Sequence, residues 1–152
     1  MSSIKRLLQR EANFYKRKKI ISELKKKYNY FNNRNVKNFY MNVKQIKKLF
    51  LEGHEIGLHG IKHYPLNSLI YEEKKSEIND CFAFWKRKKL LKKNWSFCYP
   101  FGIYDIDTIN ILRKMNCNIA ITTDKSKIKI NKEFTNLQLS RIDTNELFEK
   151  LK

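Results

Sequence analysis

The chain has 152 residues, 41% of them hydrophobic and 13% aromatic, which suits one domain with a buried core and excludes a disordered composition. Its formal net charge of +18 comes from 33 Lys and Arg against 15 Asp and Glu and permits an anionic partner such as nucleic acid. The lysines are scattered along the predicted helices, and no helix-turn-helix, zinc-finger or ribonucleoprotein signature accompanies them. A basic nucleic-acid-binding protein is therefore kept only as an alternative hypothesis.

A basic, largely helical segment is predicted over residues 1–36. Asn13 is placed to cap a helix over Phe14–Tyr28. An asparagine-rich loop is expected over residues 28–38. The helix carries an apolar stripe at 3.6-residue spacing, formed by Ile20, Ile21 and Leu24.

A second, shorter helix is predicted over Val43–Glu52. Asn42 and Gln45 stand at the cap and third helical positions of a capping box, and Gly53 lies just beyond the last residue. This helix would open the main domain, which we predict over residues 37–152.

Strands and helices then alternate. Short apolar runs predict strands over His54–Leu58, Trp95–Tyr99, Asn118–Thr122 and Leu137–Ile142. Helical spacing predicts helices over Tyr71–Lys88, from Asp105 or Asp107 to Met115, and over Thr144–Leu151. The inner faces of the first two helices are expected to hold Ile78, Cys81, Phe82 and Trp85, and Ile111, Leu112 and Met115. A basic loop is expected over residues 123–134, and the alternation is typical of a parallel α/β fold.

The expected cellular location of the protein follows from its three cysteines, its first residues and its hydropathy. Cys81, Cys98 and Cys117 are widely spaced and odd in number, so free thiols in a reducing compartment are expected. The first ten residues lack the apolar core of a signal peptide, and no segment approaches the length of a membrane span. We therefore expect a cytoplasmic protein with no membrane partner.

All three histidines of the chain lie within residues 53–63. His59 and His63 are four positions apart beside glycines, so their imidazoles can meet on one cation. In parallel α/β folds, ligand sites gather at the carboxyl ends of strands, so this loop and the loop after Tyr99 should face one crevice. His54 stands at the other end of its predicted strand, where a structural hydrogen bond is the expected role.

Two segments resemble motifs of the polysaccharide deacetylases, the NodB-homology family. The sequence GHEIGLHGIKHYPLNSL, residues 53–69, resembles the second motif of that family, and FCYPFGIYD, residues 97–105, resembles the third. The late segment LSRIDTN, residues 139–145, is similar to the family's late strand. The resemblance covers about residues 39–147. It implies an α/β domain that is a partial, distorted (β/α) barrel, with residues 1–36 as an insertion-like helical segment.

The resemblance also implies a chemistry, the metal-dependent hydrolysis of acetyl groups from an N-acetyl sugar or polysaccharide by a hydrolase of carbon–nitrogen bonds. His59 and His63 would bind a divalent cation, commonly zinc in the family. The backbone N–H of Phe101 would bind the oxyanion, and Arg141 would support catalysis. The acetylated carbohydrate would contact Tyr99, Pro100, Phe101 and Gly102.

The chain departs from the family pattern at several positions. The family's first motif is an Asp-Asp pair that supplies the general base and the third metal ligand, but no Asp precedes Asp80 here. Cys98 stands where many members have Arg, and no histidine follows His63. We expect a truncated or split deacetylase, whose N-terminal half would be separately encoded and would bring the third ligand. The alternative is a non-catalytic sugar-binding or scaffold homologue.

Overall fold

The computed structural model describes residues 7–8, 12–28, 39–124 and 136–144. The chain forms two compact units, residues 1–54 and 55–152. The predicted boundary after residue 36 falls within residues 29–38, outside the described part of the chain, and stays a prediction.

Helix α1 of the N-terminal unit spans Phe14–Tyr28 as predicted. Asn13 caps it, because its side-chain oxygen accepts a hydrogen bond from the Lys16 N–H at 2.9 Å. The predicted apolar stripe is poorly buried. Ile20 and Ile21 are half-buried, and Leu24 is exposed.

Helix α2 spans Val43–Leu51 and has the predicted capping box. The Asn42 side chain accepts from the Gln45 N–H at 3.0 Å, and the Gln45 side chain accepts from the Asn42 N–H at 2.8 Å. Gly53 follows the helix with φ +97°, a conformation that glycine adopts without strain.

Two short parallel strands lie at the centre of the C-terminal unit. Strand β1 spans Ser96–Cys98 and strand β2 spans Ile119–Ile121, with Phe97 opposite Ala120. Both of these central residues are fully buried, at 0% exposure. Single parallel bridges join Leu58 to β1 and Leu139 to β2. Four chain segments therefore lie side by side in chain order, which confirms a parallel α/β arrangement.

The predicted strands are longer than the observed ones. Of His54–Leu58 only Leu58 pairs with a neighbour, and of Leu137–Ile142 only Leu139 does. The His54 N–H is not available for strand pairing, because it donates to Leu49 O at the end of α2. Apolar patterning predicts which residues are buried. The length of a strand also depends on the length of the strand that it pairs with, and β1 has only three residues.

Helix α3 spans Tyr71–Arg87, one residue shorter than predicted. Ile78 and Cys81 are buried as expected, while Phe82 and Trp85 are only half-buried. The same face also buries two charged residues that the apolar pattern did not predict, Lys74 and Glu77.

Helix α4 spans Ile106–Lys114 and begins at Asp105, whose side chain accepts from the Thr108 N–H at 2.9 Å. Its inner face carries Ile111 and Leu112 as predicted, with Met115 half-buried just beyond the helix. No helix among the described residues has the length and apolar character needed to cross a bilayer.

The C-terminal predictions fall largely outside the described residues. Most of the predicted basic loop lies in residues 125–135, and the predicted closing helix lies in residues 145–152 except for Thr144. Between the helices and strands, short 3-10 turns occur at Leu66–Ser68 and Pro100–Gly102. The second turn lies just beyond the end of β1 and shapes the candidate functional site.

Candidate functional site

A cavity of about 410 Å³ lies where the parallel segments end. It brings together five residues that the sequence predicted for the site, namely His59, His63, Tyr99, Phe101 and Arg141. The remaining lining residues are Gly57, Leu58, Cys98, Ile121, Thr122 and Thr123. The predicted Pro100 and Gly102 belong to the adjoining turn and do not line the cavity.

His59 is oriented by the backbone of β1. It directly follows the bridged Leu58, and its Nδ1 lies 2.7 Å from the carbonyl oxygen of Cys98. A carbonyl oxygen only accepts, so Nδ1 carries the proton and donates it. The lone pair of Nε2 is then available to a ligand, which is the tautomer that metal-binding histidines commonly adopt.

His63 lies beside His59 and Phe101. The ring centroids of His59 and His63 are 4.7 Å apart, and those of His63 and Phe101 are 4.5 Å apart, both in edge contacts. Partial burial, followed by the charge of His59, lowers the pKa of His63 below 6.5, against smaller effects of its own backbone and Glu77. This environment favours the neutral imidazole, the form that binds a cation.

The backbone between the two histidines is held by α3. Glu77 Oε1 accepts hydrogen bonds from the Ile61 N–H at 2.8 Å and from the Lys62 N–H at 2.5 Å. The Cys81 thiol donates to Gly60 O at 3.5 Å. Glu77 is not among the residues that the sequence predicted for the site. The available signal is the four-residue spacing from Glu77 to Cys81, which places Glu77 on the buried face of α3.

The turn after β1 has an unusual backbone. Phe101 adopts φ 58° and ψ 10°, a left-handed conformation that is rare outside glycine. Gly102 follows with φ +70°, and a Cβ at that position would lie 2.0 Å from Thr123 Oγ1. The Thr123 hydroxyl donates to Phe101 O at 3.2 Å and secures the turn. Thr123 is a second residue that sequence analysis missed.

The Phe101 N–H has no hydrogen-bond partner among the described residues, whereas its neighbour Gly102 donates to Tyr99 O at 2.8 Å. A free amide donor beside the cavity is the chemical group that an oxyanion site needs.

Tyr99 lines the cavity but is only 2% exposed. Its hydroxyl donates to Leu137 O at 2.7 Å, and its ring stacks on Tyr104 with centroids 4.5 Å apart. Burial raises the pKa of Tyr99. The Tyr99 phenol is thus engaged with the protein, and the half-buried Phe101 is the more accessible aromatic ring for a sugar.

Arg141 is exposed and lines the cavity. The backbone fixes its place, since the Arg141 N–H donates to Asp124 O at 3.1 Å just beyond β2. His54, in contrast, is exposed and not among the cavity-lining residues.

The two imidazoles fit a divalent cation in type and in mutual distance, but they are only two ligands. Within the described residues no third His, Cys, Asp or Glu joins them in a metal-binding group. The described lining of the cavity also contains neither Asp nor Glu. A carboxylate base therefore has no candidate in this lining.

A comparison with family models gives one match over most of the chain. The model described as Polysaccharide deacetylase matches residues 13–120, from the cap of α1 into β2. The matched region includes His59, His63 and the turn at Pro100–Gly102. No curated protein and no solved structure matches the chain.

Proposed function

The chain belongs to the polysaccharide deacetylase family, and from this membership we propose that it binds acetylated carbohydrate in its cavity and removes acetyl groups by metal-dependent hydrolysis. One observation carries the proposal. His59 and His63 in one loop, Phe101 in the turn after β1 and Arg141 beyond Leu139 come from three separate segments of the chain, and they line the same cavity of about 410 Å³.

The parallel order of the segments supports this membership at the level of fold. Leu58, β1, β2 and Leu139 are neighbours in chain order, as in an arc of a (β/α) barrel. We propose that the C-terminal unit is such an arc of the family's distorted barrel. Ligand sites of barrels lie at the carboxyl ends of their strands, where the cavity is found.

His59 and His63 are the proposed ligands of a divalent cation, with zinc as the leading candidate because imidazole nitrogen suits it. The Cys98 carbonyl supports this role by orienting His59 and leaving its Nε2 free. Held by these two imidazoles, a divalent cation would supply Lewis-acid polarisation of the acetyl carbonyl and would make a water molecule more acidic.

The protein groups around this pair have separate roles. The unpartnered N–H of Phe101 donates to the acetyl oxygen as negative charge develops on it. The Phe101 ring offers an apolar face to the pyranose ring. Arg141 adds a positive charge at the rim, which favours the same developing anion.

Calorimetric titration with zinc tests the ligand assignment. We expect His59→Ala and His63→Ala each to weaken zinc binding, because each removes one of two ligands. His54→Ala is the matched control, since His54 is exposed and lies outside the cavity lining. If the affinity of either ligand variant equals that of the wild type, the assignment is wrong.

Release of acetate from an acetylated chitooligosaccharide tests the activity. We expect turnover that requires added metal and that is abolished by His59→Ala and His63→Ala. Turnover that persists in the presence of a chelator would contradict the proposed chemistry.

A second candidate function is sugar binding without turnover. The observation that favours it is the lack of a carboxylate in the described lining of the cavity, together with the lack of any Asp before Asp80. This candidate predicts saturable binding of the acetylated oligosaccharide with no acetate released at any metal concentration. Metal-dependent release that the histidine variants abolish would exclude it.

A further inference from the structure

Glu77 is a buried carboxylate on α3 that accepts hydrogen bonds from the connection between the two histidines. It is 6% exposed on the second turn of α3, and no Lys or Arg of the described residues forms an ion pair with it. Burying a carboxylate is costly unless other groups satisfy its charge. In this chain, backbone amides satisfy the charge of Glu77. The burial of Glu77 is therefore explained by its bonds to the segment that supplies these amides.

That segment is the connection between His59 and His63. One oxygen of Glu77, Oε1, accepts from the Ile61 N–H at 2.8 Å and from the Lys62 N–H at 2.5 Å. Both bonds are charge-assisted and therefore stronger than bonds between neutral groups. The two amides lie in the three-residue stretch that sets the spacing and direction of the imidazoles.

Helix α3 lies so close to this stretch that position 60 has little room for a residue with a Cβ. Gly60 has φ +77°, and a Cβ there would lie 2.9 Å from Glu77 Oε1. The Cys81 thiol, one turn further along α3, donates to Gly60 O. The backbone of the stretch is thus bound at consecutive residues by a single rigid helix.

We propose that Glu77 is a positioning residue, whose carboxylate fixes the backbone of residues 60–62 so that His59 and His63 meet on one divalent cation. The inference rests on the proposed function, because it assumes that the two histidines share a cation. It adds a residue outside the cavity lining to the metal site. It also assigns a cause to the left-handed backbone of His63, φ 56°, which directly follows the bound amides.

Two substitutions separate the hydrogen bonds from the charge. Glu77→Ala removes the acceptor, so we expect zinc affinity to fall by about tenfold or more, the usual effect of losing a group that orients metal ligands. Glu77→Gln keeps a carbonyl oxygen at the same place, and a carbonyl oxygen accepts two hydrogen bonds. We expect Glu77→Gln to retain most of the zinc affinity that Glu77→Ala loses.

Amide hydrogen exchange of the metal-free protein provides a readout that does not depend on zinc. In the wild type and in Glu77→Gln the amides of Ile61 and Lys62 should exchange slowly, and in Glu77→Ala they should exchange as unprotected amides do. Ile78→Val is the matched control. It weakens packing at the neighbouring residue of α3, which is 0% exposed, and leaves both hydrogen bonds in place. Its zinc affinity and its two amide rates should equal those of the wild type.

The measured zinc affinities and amide exchange rates decide whether Glu77 positions the two histidines. If Glu77→Ala keeps wild-type zinc affinity, or if its two amides remain protected, the inference is overturned. An Ile78→Val variant that loses as much zinc affinity as Glu77→Ala would overturn it too, since general destabilisation would then explain the effect. If the wild type binds no zinc, the proposed function fails, and the exchange rates alone decide whether Glu77 fixes the histidine connection.

Discussion

Lys74 Nζ lies 2.5 Å from Asp105 Oδ2 and joins α3 to the residue that caps α4. The Lys74 side chain is 2% exposed and that of Asp105 is 32% exposed, while Asp107 Oδ2 stands further away at 3.5 Å. Burial raises the pKa of Asp105, but hydrogen bonds from Lys74 and Thr108 outweigh it and hold the pKa below 3.8. The two helices that flank β1 along the chain are therefore joined by an ionic contact.

This contact should make folding sensitive to acid. The unfolded chain takes up a proton at Asp105 at higher pH than the folded chain does, because the folded pKa is depressed below 3.8. The contribution to stability is thus present above the unfolded pKa and is lost as the pH falls through the folded pKa. We expect Asp105→Asn to flatten this acid-induced loss and to lower the free energy of unfolding at neutral pH by about 2 kcal/mol.

Urea unfolding at a series of pH values measures both effects. Asparagine still caps a helix, so Asp105→Asn tests the charge and not the cap. Asp107→Asn is the matched control, with an expected loss of about 0.5 kcal/mol, because Asp107 is more exposed and more distant from Lys74. Equal losses for the two variants would contradict the special role of Asp105.

Gly102→Ala should disrupt the turn after β1. The added Cβ would lie 2.0 Å from Thr123 Oγ1 and 2.6 Å from Thr123 N, and the second of these atoms belongs to the backbone and cannot rotate away. We expect a loss of about 2–4 kcal/mol in the free energy of unfolding, from left-handed strain and overpacking together. Gly53→Ala provides the comparison. Gly53 has φ +97° but nothing within 4 Å of its Cβ position, so it should lose only about 1 kcal/mol.

Tyr99 and Phe101 of the third motif should have different roles, a structural one for Tyr99 and a binding one for Phe101. Tyr99→Phe leaves Leu137 O without its hydrogen-bond donor and should lower the free energy of unfolding by about 1–2 kcal/mol, with sugar affinity unchanged. Phe101→Ala should weaken binding of the acetylated oligosaccharide by about fivefold through loss of the aromatic face. Calorimetry and thermal unfolding of both variants check this division, with Phe84→Ala on α3 as a control. An unchanged sugar affinity in Phe101→Ala would refute the stacking role.

Arg141→Ala should lower kcat/KM for acetate release by about tenfold, equivalent to about 1.4 kcal/mol of transition-state stabilisation. The effect is expected to be modest because Arg141 is exposed and solvent screens its charge. Arg113→Ala controls for net charge, since Arg113 lies exposed on α4 and contacts Asn110. If both variants lose the same activity, the effect belongs to the overall charge of the chain and not to Arg141.

Local features were the most predictable from the sequence. The bounds of α1 and the capping box of α2 follow from neighbouring residues alone, so they could be predicted from Asn13, Asn42 and Gln45. The meeting of the histidine loop with the turn at Pro100–Gly102 was also predicted, because parallel strands bring their carboxyl ends together.

The missed features depend on tertiary contacts. Lys74 and Glu77 are hydrophilic, so an apolar pattern omits them, although both fall on the helical face of Ile78 and Cys81. Their burial depends on groups distant in sequence, namely Asp105 for Lys74 and the amides of Ile61 and Lys62 for Glu77. The lengths of the strands around Leu58 and Leu139 were mispredicted for the same reason, since pairing needs a neighbour.

The partner that orients His59 is a main-chain carbonyl and not a side chain. Every amino acid at position 98 would present the same carbonyl oxygen, provided that β1 keeps its pairing with β2. The direction of the His59 imidazole is therefore set by the pairing of β1 and not by the identity of the side chain at position 98.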